Sequence, residues 1–266
     1  MWTLSKRSRQ LALSHAQLES IILERTAELQ NLSQRLLKVQ DEERRKLARD
    51  LHDSTGQTLA ALKISISLLE EKCKQNSSTL GLVSEVAALA DQAIEEIRTT
   101  SYLLHPPLLD EVGFPCAAEW YVQGFAQRSG INVTLDLAAA GERLPARIET
   151  ALFRVLQESL TNVHRHSAAK RVSVRFRQEA EAAILEIRDF GRGIPAERLA
   201  QLRKIRAETG VGLAGMRERL NELKGELEIE SDGRGTRLRA VVPLPTTAPV
   251  ARPANGRQGS ACASAD

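Results

Sequence analysis

The sequence predicts an all-helical first part and an α/β second part, so the predicted fold class is α plus α/β. Residues 1–55 contain no proline or glycine, and their apolar residues recur in steps of three and four, as on one face of a long helix. A second stripe with this spacing runs through residues 80–104. After residue 115, short runs of alternating apolar and polar residues, typical of half-buried strands, separate further helical segments.

Composition argues against several classes of protein. The chain has 266 residues, a formal net charge of +3 and only 3% aromatic residues, which argues against direct nucleic-acid binding. No run approaches the roughly 20 apolar residues of a membrane span. Cys73, Cys116 and Cys262 are widely spaced and fit no metal-ligand pattern, so they predict free thiols in the reducing cytoplasm.

The amino terminus has two open interpretations. Trp2 precedes Lys6, Arg7 and Arg9, and a tryptophan followed by a basic cluster is typical of the cytoplasmic flank of a transmembrane helix. This interpretation predicts a membrane or sensor segment upstream of residue 1. The alternative is an ordinary polar start.

Residues 10–73 are predicted to form one long helix that begins as a coiled coil. The seam positions, which alternate steps of three and four, are His15, Leu18, Ile22, Arg25, Leu29, Leu32, Leu36, Val39 and Glu43. A heptad seam of this length favours a coiled coil over a surface amphipathic helix. After Val39 the stripe continues in steps of four, a stutter that locally unwinds a supercoil.

A second helix follows a polar break at residues 74–79. Its stripe consists of Leu80, Val83, Ala87, Ala90, Ile94, Ile97, Ser101 and Leu104. A hairpin of two helices cannot cover this seam by itself, so we expect two hairpins to form a homodimeric four-helix bundle. Pro106 and Pro107 end the second helix, because proline cannot continue it, and residues 107–114 are predicted to be a linker.

The region from 115 to 245 contains the elements of the predicted α/β domain. Helices are predicted at residues 117–128, 145–167, 197–205 and 216–224, and strands at 131–137, 171–177, 183–188, 226–231 and 236–242. The tail at 246–266 is rich in Pro, Ala, Gly and Ser and is predicted to be disordered.

A histidine and a carboxylate are adjacent in the long helix. Imidazole is a nucleophile near neutral pH, and Asp53 beside His52 can keep one ring nitrogen protonated so that the other attacks. Gln57 lies four residues after Asp53 and shares its helix face. For a His-Asp pair by itself, a surface histidine on a charged helix is the alternative.

Three motifs of the α/β region combine polar side chains with glycines. The first is a polar face on the helix predicted at 145–167, formed by Glu158, Asn162, Arg165 and His166. Polar side chains against a core indicate a site, and an asparagine oxygen suits Mg²⁺. In the second motif, Asp189 ends a strand, and Gly191 and Gly193 allow a sharp turn.

The third motif is rich in glycine and precedes a helix, whose N-terminus suits phosphate groups. It contains Gly210, Gly212, Leu213 and Gly215. It is not a phosphate-binding Walker A sequence, because no Gly-Lys-Ser/Thr follows. Taken singly, the three motifs have ordinary alternatives: a polar helix face, a strand-end turn and a glycine-containing loop.

Together these residues resemble a known family. Glu43-Arg44-Arg45, Leu51-His52-Asp53 and Gly56-Gln57 resemble the phosphoacceptor box of two-component sensor histidine kinases, most closely the nitrate/nitrite-sensor subfamily. The three later motifs, followed by Gly233-Arg234-Gly235-Thr236, resemble the nucleotide-binding boxes of the Bergerat-type ATPase fold. Type II topoisomerases and mismatch-repair ATPases share that fold, and the resemblance covers about residues 40–243.

The resemblance implies a role for each matched residue. His52 would accept the phosphoryl group of ATP, Asp53 would orient the imidazole and accept its proton, and Gln57 would serve dephosphorylation of the partner. Asn162 would bind Mg²⁺, with Glu158 near the metal. The other residues implied in nucleotide binding are Arg165, His166, Asp189, Gly191, Gly193, Gly210, Gly212, Leu213, Gly215 and Thr236, with Asp189 on the adenine amino group. Two departures are Arg165, where the subfamily usually has lysine, and Phe190, where a small polar residue is common.

The implied protein is a cytoplasmic, homodimeric protein-histidine kinase that uses ATP and Mg²⁺ and has the receiver domain of a response regulator as its partner. Its implied domains are a signalling coiled coil at 1–40, a dimerisation and histidine phosphotransfer domain at 41–106, a linker at 107–114 and an ATP-binding domain at 115–245. One alternative is a clamp-type ATPase of the same fold, which leaves the His-Asp box unexplained. The other is a dimeric scaffold with a degenerate ATP fold, which the intact Asn162, Asp189 and glycines argue against.

Overall fold

A computed structural model describes residues 2–73, 77–137, 142–204 and 211–245. The predicted polar break at 74–76, Gly210 and the tail predicted to be disordered lie outside the described residues. The chain divides into two compact units, one up to Glu43 and one from Arg44 onward.

The predicted long helix contains a change of helical geometry at the His-Asp pair. Helix α1 spans Trp2–Asp50, a π-helical segment spans Leu51–Gly56, and α2 spans Gln57–Cys73. The prediction of one uninterrupted α-helix is therefore corrected. Serine, threonine and glycine, which end the segment, are weak helix formers, and π-helical turns are frequent at functional sites.

Helix α3 spans Ser77–Leu104 and runs antiparallel to α2. Lys63 Nζ lies 2.5 Å from Asp91 Oδ1, and Ser84 Oγ donates to Glu70 Oε1 at 3.2 Å. At the other end of α3, the buried hydroxyl of Ser101 donates to the carbonyl of Ala48 in α1 at 2.8 Å. The predicted helical hairpin is therefore present, and the predicted stripe of α3 is buried or half-buried along its length.

The segment predicted to be a linker is a packed element. Helix α4 spans Pro107–Glu111, and Leu109 and Phe114 are buried in the hydrophobic core of the α/β region. Pro106 and Pro107 end α3 but also favour a new helix, because proline is well tolerated in a first helical turn. The chain therefore passes from the hairpin to the α/β region through a short helix.

The described part of the α/β region contains four more helices and five strands. Helices α5, α6, α7 and α8 span Phe114–Ser129, Ala146–Asn162, Ala196–Lys204 and Val211–Glu222, and a π-helical turn at Val163–Ser167 follows α6. Strands β1 to β5 span Asn132–Leu137, Arg171–Gln178, Ala182–Asp189, Glu226–Asp232 and Gly235–Pro243.

One mixed sheet has the strand order β1-β2-β3-β5-β4. Strand β1 pairs with β2 in parallel through the α6 crossover, and the other pairs are antiparallel. Alternate residues of the central strands are buried against α5, α6 and α8, which pack on one face. The other face carries ion pairs, such as those of Arg237 with Glu186 and Glu230. This two-layer sandwich confirms the predicted α plus α/β class.

The structure also tests three further expectations. Helix α8 begins at Val211 instead of 216, so part of the third glycine motif lies inside a helix. The prediction of free thiols is wrong for Cys116, which is disulfide-bonded. Among the described residues, no helix combines the length and apolar content that a bilayer span requires.

Candidate active site

His52 and Asp53 form a side-chain pair on the π-helical segment. Nδ1 of His52 lies 3.1 Å from Oδ1 of Asp53, and the two side chains are 59% and 69% exposed. Because the carboxylate meets Nδ1, the pair favours a proton there and leaves the Nε2 lone pair for reaction. Gln57, the first residue of α2, is also exposed.

Glu158 and Asn162 lie one turn apart at the end of α6, and both are half-buried. The amide nitrogen of Asn162 donates to Glu158 Oε1 at 3.3 Å. With its nitrogen engaged by Glu158, the amide of Asn162 presents its oxygen as the group for a cation. The predicted polar face is present for these two residues.

Arg165 and His166 lie in the π-helical turn and are exposed. The prediction of one α-helix over 145–167 is therefore corrected, because α6 ends at Asn162 and the hydrogen bonds of a π turn change the phase of the residues after it. Nε of Arg192 donates to the carbonyl of His166 at 2.7 Å, which ties this turn to the loop after β3.

Asp189 ends β3 and is only 5% exposed. Its Oδ1 accepts the backbone N–H of Gly191 at 2.9 Å, and the backbone and hydroxyl of Thr236 also hydrogen-bond to it. Burial raises the pKa of Asp189, and these hydrogen bonds oppose the rise. The site therefore contains a buried carboxylate acceptor between the second glycine motif and β5.

Glycine is required around Asp189 because neighbouring backbone leaves no room for a side chain. A Cβ at Gly191 would overlap the carbonyl oxygen of Ser167, and a Cβ at Gly193 would overlap that of Asp232. Gly235 has φ +138°, and a Cβ there would overlap the carbonyl of Asp189 itself.

Two serines in this region carry contacts that the sequence motifs do not include. Ser231 Oγ accepts the backbone N–H of Ile194 at 2.7 Å and lies 3.0 Å from Thr236 Oγ1. The carbonyl of Ser167 accepts the backbone N–H of Arg192 at 2.9 Å. Ser231 lies in β4 and Ser167 in the π-helical turn, and single serines in such elements follow no pattern, so the sequence contains no signal that could have found these two residues.

The third glycine motif packs against Glu158. Gly212, Leu213 and Gly215 lie in the first two turns of α8 and are half-buried, whereas Gly210 lies outside the described residues. A Cβ at Gly212 would overlap Oε1 of Glu158. The structure thus brings the first and third motifs together, although Gly212, Leu213 and Gly215 lie within the helix and not ahead of it.

Phe190 lies on the opposite side of the sheet from Asp189. Its ring is exposed, and the guanidinium groups of Arg171 and Arg188 lie 5.2 and 5.1 Å from its centroid. Side chains alternate between the faces of a strand, which explains why the neighbour of a buried carboxylate points outward. The departure at Phe190 therefore leaves the pocket around Asp189 unchanged.

These residues fit a nucleotide and its metal. A buried carboxylate acceptor at the end of β3 suits a flat heterocycle with an amino donor. In the described part of the chain, no three His, Cys, Asp or Glu side chains cluster as a metal site. Mg²⁺ nonetheless fits Asn162, because it takes one or two protein ligands and completes its shell with water and phosphate oxygens.

Comparison with known proteins gives one family match for the segment that contains His52 and another for the segment that contains the nucleotide-binding motifs. Residues 43–109 match the family described as histidine kinase, and residues 147–246 match the histidine kinase-, DNA gyrase B-, and HSP90-like ATPases. The chain belongs to the histidine kinase family. The histidine kinase match contains His52, Asp53 and Gln57, and the ATPase match extends from α6 through β5. The resemblance to sensor histidine kinases is therefore confirmed.

Two curated relatives align over most of the chain. The sensor histidine kinase MctS of Rhizobium johnstonii is 35% identical over 228 residues, which are 85% of this chain and 48% of the relative. The signal transduction histidine-protein kinase/phosphatase DegS of Brevibacillus brevis is 31% identical over 227 residues, 84% of this chain and 57% of the relative. The chain thus spans about half the length of these relatives.

A solved structure also aligns with this chain. It is the histidine kinase domain of the blue-light activated histidine kinase EL346 from Erythrobacter litoralis. The sequence identity is 18%, the TM-score is 0.46, and the match covers 71% of this chain and 94% of that one.

Proposed function

We propose that this chain is a histidine kinase core that phosphorylates His52 from Mg-ATP and passes the phosphoryl group to an aspartate of a response regulator. The observation that carries the proposal is the contact of His52 Nδ1 with Asp53, in a chain that also has an ATPase-family domain. The proposed domains keep the bounds expected from the sequence, with the phosphotransfer hairpin at 41–106 and the ATP-binding domain at 115–245. The reaction takes place in the cytoplasm, where ATP is available.

The chemistry at His52 needs one nucleophile and one proton acceptor. Nε2 of His52 attacks the γ-phosphorus in line, the bond to the bridging oxygen breaks, and ADP leaves. Asp53 holds the proton on Nδ1 and accepts it as the ring gains the phosphoryl group. The remaining catalysis comes from positioning and electrostatics, as is general for phosphoryl transfer.

The nucleotide contacts follow the geometry around α6, β3 and β5. Asp189 accepts the adenine amino group, and Thr236 with the glycines at 191 and 193 shapes the adenine pocket. The residues on the phosphate side are Arg165, His166, Gly210, Gly212, Leu213 and Gly215. Asn162 holds Mg²⁺, with Glu158 beside it, and the ion supplies charge neutralisation for the phosphates.

The functional unit is a homodimer of the hairpin and the preceding coiled coil. Leu82, Val86 and Leu89 form a second apolar stripe on α3 that is 49–64% exposed in one chain. The heptad-seam residues of α1 from Leu18 to Val39 are also more than half exposed. Apolar patches of this extent are typical of interaction surfaces, and a second copy of the hairpin would cover the α3 stripe in a four-helix bundle.

Gln57 serves a second reaction, in which water hydrolyses the aspartyl phosphate of the regulator and releases inorganic phosphate. It lies one turn after Asp53, so a receiver domain that meets His52 during transfer also meets the amide. An acyl phosphate is reactive, and an amide that orients a water is enough to promote its hydrolysis. One curated relative is named a kinase/phosphatase, which favours this role.

Incubation with γ-labelled ATP tests the proposal against its alternatives. A kinase incorporates label only with Mg²⁺, a clamp-type ATPase releases labelled phosphate without incorporation, and a scaffold does neither. The role of Gln57 is tested by Gln57→Ala, with labelling and loss of regulator phosphate measured separately. Equal damage to both reactions, or to neither, contradicts that role.

A further inference from the structure

Two side chains of the helical region, one from α1 and one from the residue after α3, contact the carboxylate of Asp110 at the start of the α/β region. Arg45 in α1 binds Asp110 through both guanidinium edge atoms, with Nε to Oδ2 at 3.0 Å and Nη2 to Oδ1 at 2.7 Å. Nε2 of His105, which is 4% exposed, lies 3.1 Å from Asp110 Oδ2. A bidentate arginine–carboxylate pair is strong and has a defined orientation. We call these three residues the Asp110 cluster.

Asp110 is fixed to the ATP-binding domain. It lies in α4, next to the buried Leu109. Arg143 donates to the carbonyls of Leu109 and Glu111 at 3.1 Å each and also to that of Asp110. These bonds hold the carbonyl end of α4, so Asp110 moves together with the ATP-binding domain.

The same junction fixes α6, the helix that carries Glu158 and Asn162. Arg154 Nη1 donates to the carbonyl of Leu104 at 2.9 Å, and Gln157 Nε2 donates to that of Leu103 at 2.9 Å. Both carbonyls belong to the last turn of α3, where backbone acceptors have no partner within the helix. The pose of α6 relative to the hairpin is thus set beside the Asp110 cluster.

Arg44, the neighbour of Arg45, has the opposite electrostatic effect. Burial, and after it the positive charge of Arg44, lowers the pKa of Arg154 to about 10. Arg44 therefore repels a buried cation of the ATP-binding domain, whereas Arg45 attracts a carboxylate of the same domain. The two adjacent arginines therefore interact with the ATP-binding domain in opposite ways: Arg44 by repulsion and Arg45 by attraction.

In this pose His52 is open to solvent. Among the described residues, the polar contact of its side chain is with Asp53, whereas Arg45 is the contact between α1 and Asp110. In the described part of the chain, no hydrogen bond or ion pair joins the side chain of His52 to the ATP-binding domain in this pose. Attack on ATP needs the reacting atoms within about 3.5 Å.

We propose that Asp110 is a positioning residue that holds the ATP-binding domain beside α1 with His52 uncovered, and that the Arg45–Asp110 contact opens before His52 attacks ATP. The uncovered pose is the one in which a receiver domain reaches the phosphorylated histidine. This inference rests on the proposed kinase function and adds to it the contact that restrains the first step.

The test uses the full chain with Arg45→Gln, Arg44→Gln and, as a control of equal charge, Lys46→Gln. Hydrogen exchange of the backbone amides in residues 108–113 reports the contact, and labelling from γ-labelled ATP gives kcat and KM. Arg45→Gln is expected to speed exchange and to raise kcat about three- to tenfold with KM unchanged. Arg44→Gln is expected to change both in the opposite direction, and Lys46→Gln to change neither.

A charge swap separates positioning from damage to the fold. Arg45→Asp should raise exchange and kcat, and adding Asp110→Arg should return both toward the wild-type values. If Arg45→Gln leaves the exchange rate unchanged, Arg45 does not hold Asp110. If exchange is faster but kcat is equal or lower, the contact does not restrain the attack of His52 on ATP. If the wild type forms no phosphohistidine, the proposed function fails, and exchange alone still decides whether Arg45 holds the domain.

Discussion

The carboxylate of Asp189 accepts the backbone N–H of Gly191, two residues further along the chain, with 2.9 Å between Oδ1 and N. This bond closes the turn after β3 and orients the buried carboxylate beside Thr236. The turn itself depends on glycine, since a Cβ at residue 191 would overlap the carbonyl of Ser167. The position of the proposed adenine contact therefore depends on the backbone turn at Gly191 as well as on the side chain of Asp189.

Asp189→Asn is expected to weaken ATP binding about 10- to 100-fold, because an acceptor oxygen becomes a donor nitrogen facing another donor. The loss should also appear without Mg²⁺, since the adenine end does not depend on the metal. Nucleotide titration measures it, with the exposed Asp232→Asn as control. Normal ATP affinity in Asp189→Asn would show that the adenine contact lies elsewhere.

Gly193→Ala is expected to destabilise the fold by about 1–3 kcal/mol. Gly193 has φ +69°, and a Cβ there would overlap the carbonyl of Asp232. Gly233→Ala is the matched control, because nothing lies near a Cβ at that position. Chemical denaturation measures both variants, and equal stability of the two contradicts the steric argument.

His105 is expected to make folding stability depend on pH. Burial lowers the pKa of His105 despite the opposing effect of Asp110, and the charges of Arg154 and Arg45 lower it further. Between about pH 6.5 and the lowered pKa, His105 therefore binds a proton in the unfolded chain but not in the folded chain. The contribution of His105 is present above that pH and is lost as the pH falls through the lowered value.

The pH effect of His105 is measured as a difference between two proteins, which cancels the titration of other groups. The free energy of unfolding of the wild type, minus that of His105→Gln, should shrink as the pH falls below about 6.5. Denaturant titrations on both sides of that pH give this difference. A constant difference contradicts the buried, neutral imidazole.

Leu89→Glu is expected to separate the dimer into monomers at micromolar concentration. The substitution would bury a charge in the interface formed by Leu82, Val86 and Leu89, which is costly without a partner. Glu85→Gln, on an exposed position of the same helix, should leave the dimer intact. Sedimentation distinguishes the two states, and a monomeric wild type would refute the proposed bundle.

Local pattern was enough to predict much of the fold. The five strands alternate apolar and polar residues, and the structure has strands at each predicted position, with ends shifted by at most one residue. The glycines after β3 were also recognisable, because a strand-end aspartate followed by glycines is a local signal. Alternation and turn chemistry act over a few residues, so both can be read from sequence.

Features that depend on tertiary contacts could not be predicted in this way. The π-helical segments at Leu51–Gly56 and Val163–Ser167 have no periodic signature, and they change the phase of the residues after them. Helix α4 looked like a linker because its two prolines gave a breaking signal, while the burial of Leu109 depends on the core of a distant segment. The overlap of Gly212 with Glu158 likewise joins residues far apart in sequence.

The chemical stability of the label at His52 tests the central claim most directly. After incubation with γ-labelled ATP and Mg²⁺, the labelled protein is divided between acid and alkali, and His52→Gln is treated in parallel. A phosphohistidine has an acid-labile, base-stable P–N bond, so the account predicts label that is lost in acid, retained in alkali and absent from His52→Gln. Label that survives acid, or that persists in His52→Gln, would contradict it.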